Sequence, residues 1–168
     1  MTLMEAVKGR RSIRAYDSKP VEKEKIEAVL EAARLAPSAR NRQKWRFIVV
    51  TDPDLKEKML DACNNQSFVK QAPAIIVACG LENGMMTCEQ PVDTIDVSIA
   101  LSFIILKAYE EGLGTCWLGN FMKDKVKAVL GIPDDVSVVA VTPLGYPAES
   151  PDARSRVPLG EIVSWEKY

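Results

Sequence analysis

Asp96-Val97-Ser98-Ile99-Ala100-Leu101-Ser102-Phe103-Ile104-Ile105-Leu106-Lys107-Ala108-Tyr109-Glu110-Glu111, followed at once by Gly112-Leu113-Gly114-Thr115-Cys116-Trp117-Leu118-Gly119, is the stretch on which the fold turns. The first part has helical spacing and is apolar on nearly every side, so the helix belongs in a core or an interface. Its longest apolar block, Ile95 to Leu106, is interrupted by Asp96, Ser98 and Ser102 and falls short of the ~20 residues that cross a bilayer. Gly112 stops the helix. The glycine-rich run after it contains a short strand candidate, Cys116 to Leu118.

Working outward, helical and strand patterns alternate. Pro20 opens a segment in which Ile26, Val29, Leu30 and Ala33 recur at three-to-four spacing, and Pro37 ends it. Phe47 to Val50 and Ile75 to Cys79 are short apolar, β-branched runs closed by Asp52-Pro53 and Gly80, and read as buried strands. Leu55, Met59, Leu60 and Cys63 keep helical spacing between them. Lys123 to Leu130 is a helix ended by Gly131-Ile132-Pro133, and Val136 to Val141 a further strand. The alternation predicts a mixed α/β layer with helices on both faces of a sheet, some of its strands antiparallel.

Composition narrows the chemistry. The 168 residues suit a single domain with a core of its own. Lys and Arg number 22 against 23 Asp and Glu, for a net charge of -1, so no field of one sign steers the chain to nucleic acid or anionic membrane. With no histidine, a Ser-His-Asp triad, a Cys-His pair and any His-ligated metal site are excluded. The four cysteines form no CxxC pair and are expected to be reduced packing residues. The first residues lack a basic segment followed by a long apolar stretch, and a cytoplasmic location is the expectation.

Against this neutral background two cationic clusters stand out. Lys8-Gly9-Arg10-Arg11-Ser12-Ile13-Arg14 places a hydroxyl between arginines, and guanidinium forks bind phosphate oxygens in bidentate fashion. Arg154 and Arg156 form a second pair that could close the same anion site if the tail folds back. Each cluster alone reads most simply as a solvated charged surface.

Two loops add small residues. Ala36-Pro37-Ser38-Ala39-Arg40-Asn41-Arg42-Gln43-Lys44-Trp45 gathers small and amide side chains where a flat ring could approach the backbone, with Trp45 read as a core anchor. The glycines at 112, 114 and 119 allow close approach but lack GxGxxG spacing, which removes the dinucleotide-loop reading. Cys116, without a histidine to activate it, reads as a packing residue.

Taken in order, Arg10-Arg11-Ser12-Ile13-Arg14, Ala36-Pro37-Ser38 with Asn41-Arg42-Gln43 and Trp45, Gly112 to Trp117, and Gly145-Tyr146-Pro147 with Arg154-Ser155-Arg156-Val157-Pro158-Leu159 resemble the nitroreductase family nearly end to end. The resemblance implies an α+β fold: a three-layer α/β/α sandwich with a mixed, mostly antiparallel sheet, built as an intertwined homodimer. It also implies that residues 1–168 make one FMN-binding domain, with a C-terminal arm from about residue 147 wrapping the partner subunit.

The resemblance further implies that Arg10, Arg11, Ser12, Arg14, Arg154 and Arg156 hold the FMN phosphate and ribityl chain. Pro37, Ser38, Ala39 and Asn41 would reach the flavin from the partner subunit, and Leu118 and Gly119 would present backbone near its N5. It implies no side-chain acid or base and no metal: NADH or NADPH is the donor, a nitroaromatic, quinone or similar small molecule the acceptor, and the cycle is ping-pong. Lys44 stands where the family commonly has proline, and Leu81 to Pro91, with Met85, Met86 and Cys88, falls where members differ over the substrate face. Reductive dehalogenation, flavin breakdown and non-catalytic flavin binding are the alternatives on the same fold.

Overall fold

The computed structural model describes residues 1–168. Helix α1 (Leu3–Gly9) is followed by α2 (Lys23–Arg34), a short 3-10 turn (Ala39–Asn41), strand β1 (Trp45–Val50), α3 (Pro53–Ala62), α4 (Ser67–Gln71) and β2 (Ala74–Gly80). Then come α5 (Val92–Glu110), β3 (Gly114–Thr115), α6 (Lys123–Leu130), β4 (Ser137–Gly145) and a short α7 (Leu159–Ile162). The sheet order is β1-β2-β4-β3, and every pairing between strands is antiparallel. The parallel component is a single bridge from Ser12 to Thr115.

Strand β2 explains the layering. All seven of its residues are buried, as a strand covered on both faces must be. Ala74, Ile76 and Ala78 join a core cluster with Val29 and Ala33 of α2 and Val97, Leu101 and Ile104 of α5. Ile75, Val77 and Cys79, one residue out of phase, join the opposite cluster with Met59 of α3, Val69 of α4 and Val126 of α6. Two helical layers therefore cover the two faces. A bulge between Ala78 and Cys79 shifts the β2–β4 register, so that Val138 and Ala140 serve opposite cores although two positions apart.

The helix of the decisive stretch forms, but longer than its apolar block. It begins after Pro91 and buries a stripe of Val97, Ala100, Leu101, Ile104 and Ala108. Gly112, at φ +75°, ends it, and the Leu113 N–H returns to the Ala108 carbonyl at 2.8 Å. The face away from the sheet leaves Phe103 exposed. No helix is long and apolar enough to cross a membrane.

One expected strand is displaced. Cys116 to Leu118 does not form a strand: β3 is Gly114–Thr115, and beyond it a lone bridge joins Leu118 to Val141. Burial, which the apolar residues signalled, is real for Cys116 and Leu118, while the neighbouring β4 decides which residues pair. Strand β4 itself runs on past Val141 to Gly145, with Pro143 opposite Ile75.

Candidate functional site

The site begins with the segment that leaves α1. Thr2 caps the helix and exchanges hydrogen bonds with Glu5, fixing the short helix whose far end carries Lys8. From Ile13 the chain is extended and held on two sides. The Ile13 N–H donates to the Thr115 carbonyl at 2.9 Å, while Asp17 N–H to Tyr146 and Ala148 N–H to Ala15, each at 2.9 Å, zip it to the start of the C-terminal arm. Gly114 lets this segment lie against β3: a Cβ there would meet the Ile13 side chain at 2.7 Å.

Tyr16 closes the same corner, its hydroxyl donating to the Ile13 carbonyl at 2.7 Å, and burial raises its pKa well above the usual phenol range. Glu149 on the arm accepts from the backbone N–H of Arg14 and Ala15. Backbone bonds, with Tyr16 and Glu149, thus fix both segments without using the side chains of Arg10, Arg14 or Arg154.

The consequence is a cavity of about 420 Å³ in which the two cationic clusters meet. Lys8, Arg10, Arg11, Arg14, Arg154 and Arg156 line it against a single carboxylate, Asp152. None of these cations forms an ion pair within the chain. Six cations gathered around one carboxylate repel one another unless an anion sits among them. Ser12, exposed between the arginines, adds a hydroxyl. The donor set fits a phosphate ester such as that of FMN.

Arg11 differs from its neighbours. Its Nη1 donates to the carbonyls of Lys8, Gly9 and Arg10 at 2.8, 2.9 and 2.8 Å, and its Nε to Pro151 at 3.2 Å. Arg156 makes milder use of its own backbone, with Nη1 on the carbonyls of Arg154 and Ser155.

The loop of small residues lies elsewhere in the chain. Pro37, Ser38, Ala39 and Asn41 contribute nothing to the arginine cavity. Arg40, Asn41 and Gln43 adopt φ of 52°, 55° and 54°, a conformation that costs non-glycine residues ~1–3 kcal/mol each and persists only where the surroundings impose it. The buried carboxylate of Asp96 holds the start of this turn, with both oxygens 3.0 Å from the Ala39 N–H. Ser38 Oγ accepts from the Gln43 N–H at 3.0 Å. Asp96 was legible in the sequence only as an interruption of an apolar helix; its role depends on a loop 57 positions away.

Leu118 and Gly119 divide. Leu118 is buried, and its N–H and carbonyl are both committed to Val141. Gly119 is exposed, and its N–H donates to no group of the chain. Nearby Cys116 is buried, and burial pushes its thiol pKa up, in keeping with a packing residue.

The chain is similar to known proteins over most of its length. The Nitroreductase family model matches residues 7–92 and 64–146. The crystal structure of a nitroreductase family protein from Clostridium difficile superposes with a TM-score of 0.90 at 34% identity, covering 100% of both chains. The NADH dehydrogenase of Thermus thermophilus is 31% identical over 93% of this chain and 92% of its own. The FMN reductase [NAD(P)H] of Bacillus subtilis is 26% identical over 99% of this chain and 74% of its own.

Proposed function

The chain belongs to the nitroreductase family, and from that premise we propose that it is an FMN-dependent oxidoreductase drawing electrons from NADH or NADPH and delivering them to nitroaromatics, quinones or related small molecules. The observation that carries this reading is the convergence of Arg10, Arg14, Arg154 and Arg156 on one cavity with no carboxylate paired to any of them. Arg10, Arg14, Arg154 and Arg156 hold the phosphate, with Ser12 adding a hydroxyl donor, and Arg11 fixes the backbone that presents them.

FMN, when bound, supplies the chemistry of accepting a hydride from the nicotinamide and releasing electrons to a second substrate in a ping-pong cycle. The protein's tasks are then to bind, orient and exclude water. The free Gly119 N–H offers a donor just past the Leu118–Val141 bridge, and no side-chain acid or base is demanded, which suits a chain with no histidine.

The functional unit in this reading is a homodimer. Pro37, Ser38, Ala39 and Asn41 lie away from the arginine cavity of their own chain, and the rigid loop that carries them would complete the partner's site. Two surfaces support this. On α1 Leu3 is 73% exposed beside Met4 and Val7, and on the arm Leu159 and Trp165 are 72% and 82% exposed; apolar side chains of this number are buried in an assembly. We take residues 1–168 as one domain with the stretch from Pro147 as an arm onto the partner. The four free cysteines suit the cytoplasm, where we place it.

An absorption spectrum of the purified protein, with the released chromophore identified by mass, followed by anaerobic titration with NADH and NADPH, tests the reading. Bound FMN that bleaches with either nucleotide and is reoxidised by a quinone supports a reductase. Bound FMN that neither nucleotide reduces leaves a non-catalytic flavin protein, and absence of flavin with no uptake of added FMN overturns the cofactor assignment.

A further inference from the structure

A second pocket, of about 230 Å³, opens between the strained loop and the hairpin that follows β2. It shares no lining residue with the arginine cavity. Its working surface is Arg40 and Arg42 on one side and Met85, Met86 and Thr87 on the other. Both walls are preformed. The loop is fixed through Asp96 and Ser38, and the hairpin is closed by a Met85–Pro91 bridge, with Met86 N–H to Gln90 at 2.8 Å and Val92 N–H to Gly84 at 2.9 Å.

The charges in it are unequal. Arg42 is paired with one oxygen of Glu82, which balances the two charges, while the other Glu82 oxygen is buried without a hydrogen-bond partner. Arg40 has no carboxylate partner, and it stands at φ 52° on the tip of the loop. The pocket therefore carries one uncompensated guanidinium and is lined by two thioether side chains. Polarisable sulfur packs favourably against aromatic rings, and a guanidinium fork takes a carboxylate in bidentate fashion. The volume is below that of pockets for whole dinucleotides or drug-sized ligands and suits one substituted ring.

We propose that this pocket is an acceptor subsite for a single aromatic ring bearing a carboxylate or comparably anionic oxygen substituent, with Arg40 as its specificity-determining residue. This rests on the reductase reading above, since Ala39 belongs both to the pocket and to the loop assigned to the partner's flavin. Arg40 binds the anionic substituent, Met85 and Met86 hold the ring face, and the Arg42–Glu82 pair fixes the two walls relative to each other. The enzyme thereby favours acidic aromatic acceptors over neutral ones of equal size.

Benzoate and benzamide, which are isosteric and not reduced, are titrated calorimetrically into the purified protein with its flavin content read from the spectrum of the same sample. Benzoate binds more tightly than benzamide; Arg40→Gln weakens benzoate by about tenfold or more, the loss expected for a charge-assisted hydrogen bond, and leaves benzamide unchanged. Arg40→Lys, which keeps the charge, recovers part of the difference, and the ratio of KM for 4-nitrobenzamide to that for 4-nitrobenzoate falls in step with the affinities. Equal binding of the two ligands, no binding of either, or benzoate affinity unchanged in Arg40→Gln overturns the proposal. Loss of the reductase reading is a separate result, seen as a sample without flavin.

Discussion

The Nε of Arg11 donates to the carbonyl of Pro151 at 3.2 Å, joining positions 140 residues apart, while Nη1 of the same side chain gathers the carbonyls of Lys8, Gly9 and Arg10. One guanidinium thus satisfies the end of α1 and ties the C-terminal arm to the N-terminal segment. It acts on the arginine cavity by holding its two walls together, whereas Arg14, with no side-chain hydrogen bond of its own, faces the cavity.

Arg11 and Arg14 should therefore fail differently. Arg11→Ala lowers the stability of the flavin-free protein by about 1–3 kcal/mol, the scale of lost hydrogen bonds from a partly exposed charged group, with earlier urea unfolding and faster proteolysis near Pro151. Arg14→Ala leaves urea unfolding within about 0.5 kcal/mol, as surface substitutions do, but weakens FMN binding by about tenfold or more. If Arg14→Ala unfolds early and Arg11→Ala does not, the division of labour is reversed.

Gly114→Ala places a methyl 2.7 Å from Ile13 Cγ1 and 2.9 Å from Ile13 Cβ. The basic segment must move off β3, and overpacking of this kind costs about 1–3 kcal/mol. The expected result is a lower Tm together with weaker FMN retention on gel filtration. Unchanged FMN retention would separate the site from this contact.

Removing the Asp96 carboxylate leaves the Ala39 N–H without its acceptor at 3.0 Å. Asp96→Ala should raise amide exchange across residues 39–43 and cost about 1–3 kcal/mol for the orphaned donor. Asp96→Asn, which keeps one acceptor oxygen, lies between. Exchange confined to other segments would show that the loop is held by something else.

Glu22 provides the pH test. The Tyr146 hydroxyl donates to it at 2.6 Å, and that bond, followed by its own backbone and Lys19, lowers its pKa from 4.5 to about 2. A carboxylate with a depressed folded pKa contributes stability above its unfolded pKa and loses it as pH falls through the folded one. Wild type should therefore exceed Glu22→Gln in Tm at neutral pH by a small margin, since the group is exposed, and the margin should close between pH 4.5 and 2. A margin constant over that range contradicts the assignment.

Thiol chemistry should single out Cys88. It is exposed, whereas Cys63, Cys79 and Cys116 are buried, and burial pushes Cys63 up to about 12 and Cys79 up to about 11. A disulfide reagent at neutral pH should label one thiol per chain quickly and the other three only after denaturation. Fast labelling of Cys116 would reopen its reading as a packing residue.

Much of the secondary structure was legible because its signals are local. Lys123–Leu130 has the bounds its spacing predicts, and Gly131 ends it at φ 64°. Asp52-Pro53, read as the close of a strand, also opens α3: the Asp52 carboxylate caps the Leu55 N–H at 2.9 Å, and Pro53 starts the helix. Helix α1 gives no periodic signal although Thr2 and Glu5 spell a capping box, because seven residues carry too little periodicity to stand out.

The site divides along the same line. The sequence by itself determined the longer helices and the strands β1, β2 and β4, the exclusion of histidine chemistry, and the two arginine clusters, since each depends on residues near one another in the chain. Only the tertiary structure decided that the clusters meet in one cavity, that Arg11 spends its donors on backbone carbonyls, and that Asp96 clamps Ala39. It also decided that β3 is Gly114–Thr115. Those facts depend on which groups compete for the same hydrogen bond or the same space, and that competition exists only once distant segments are brought together.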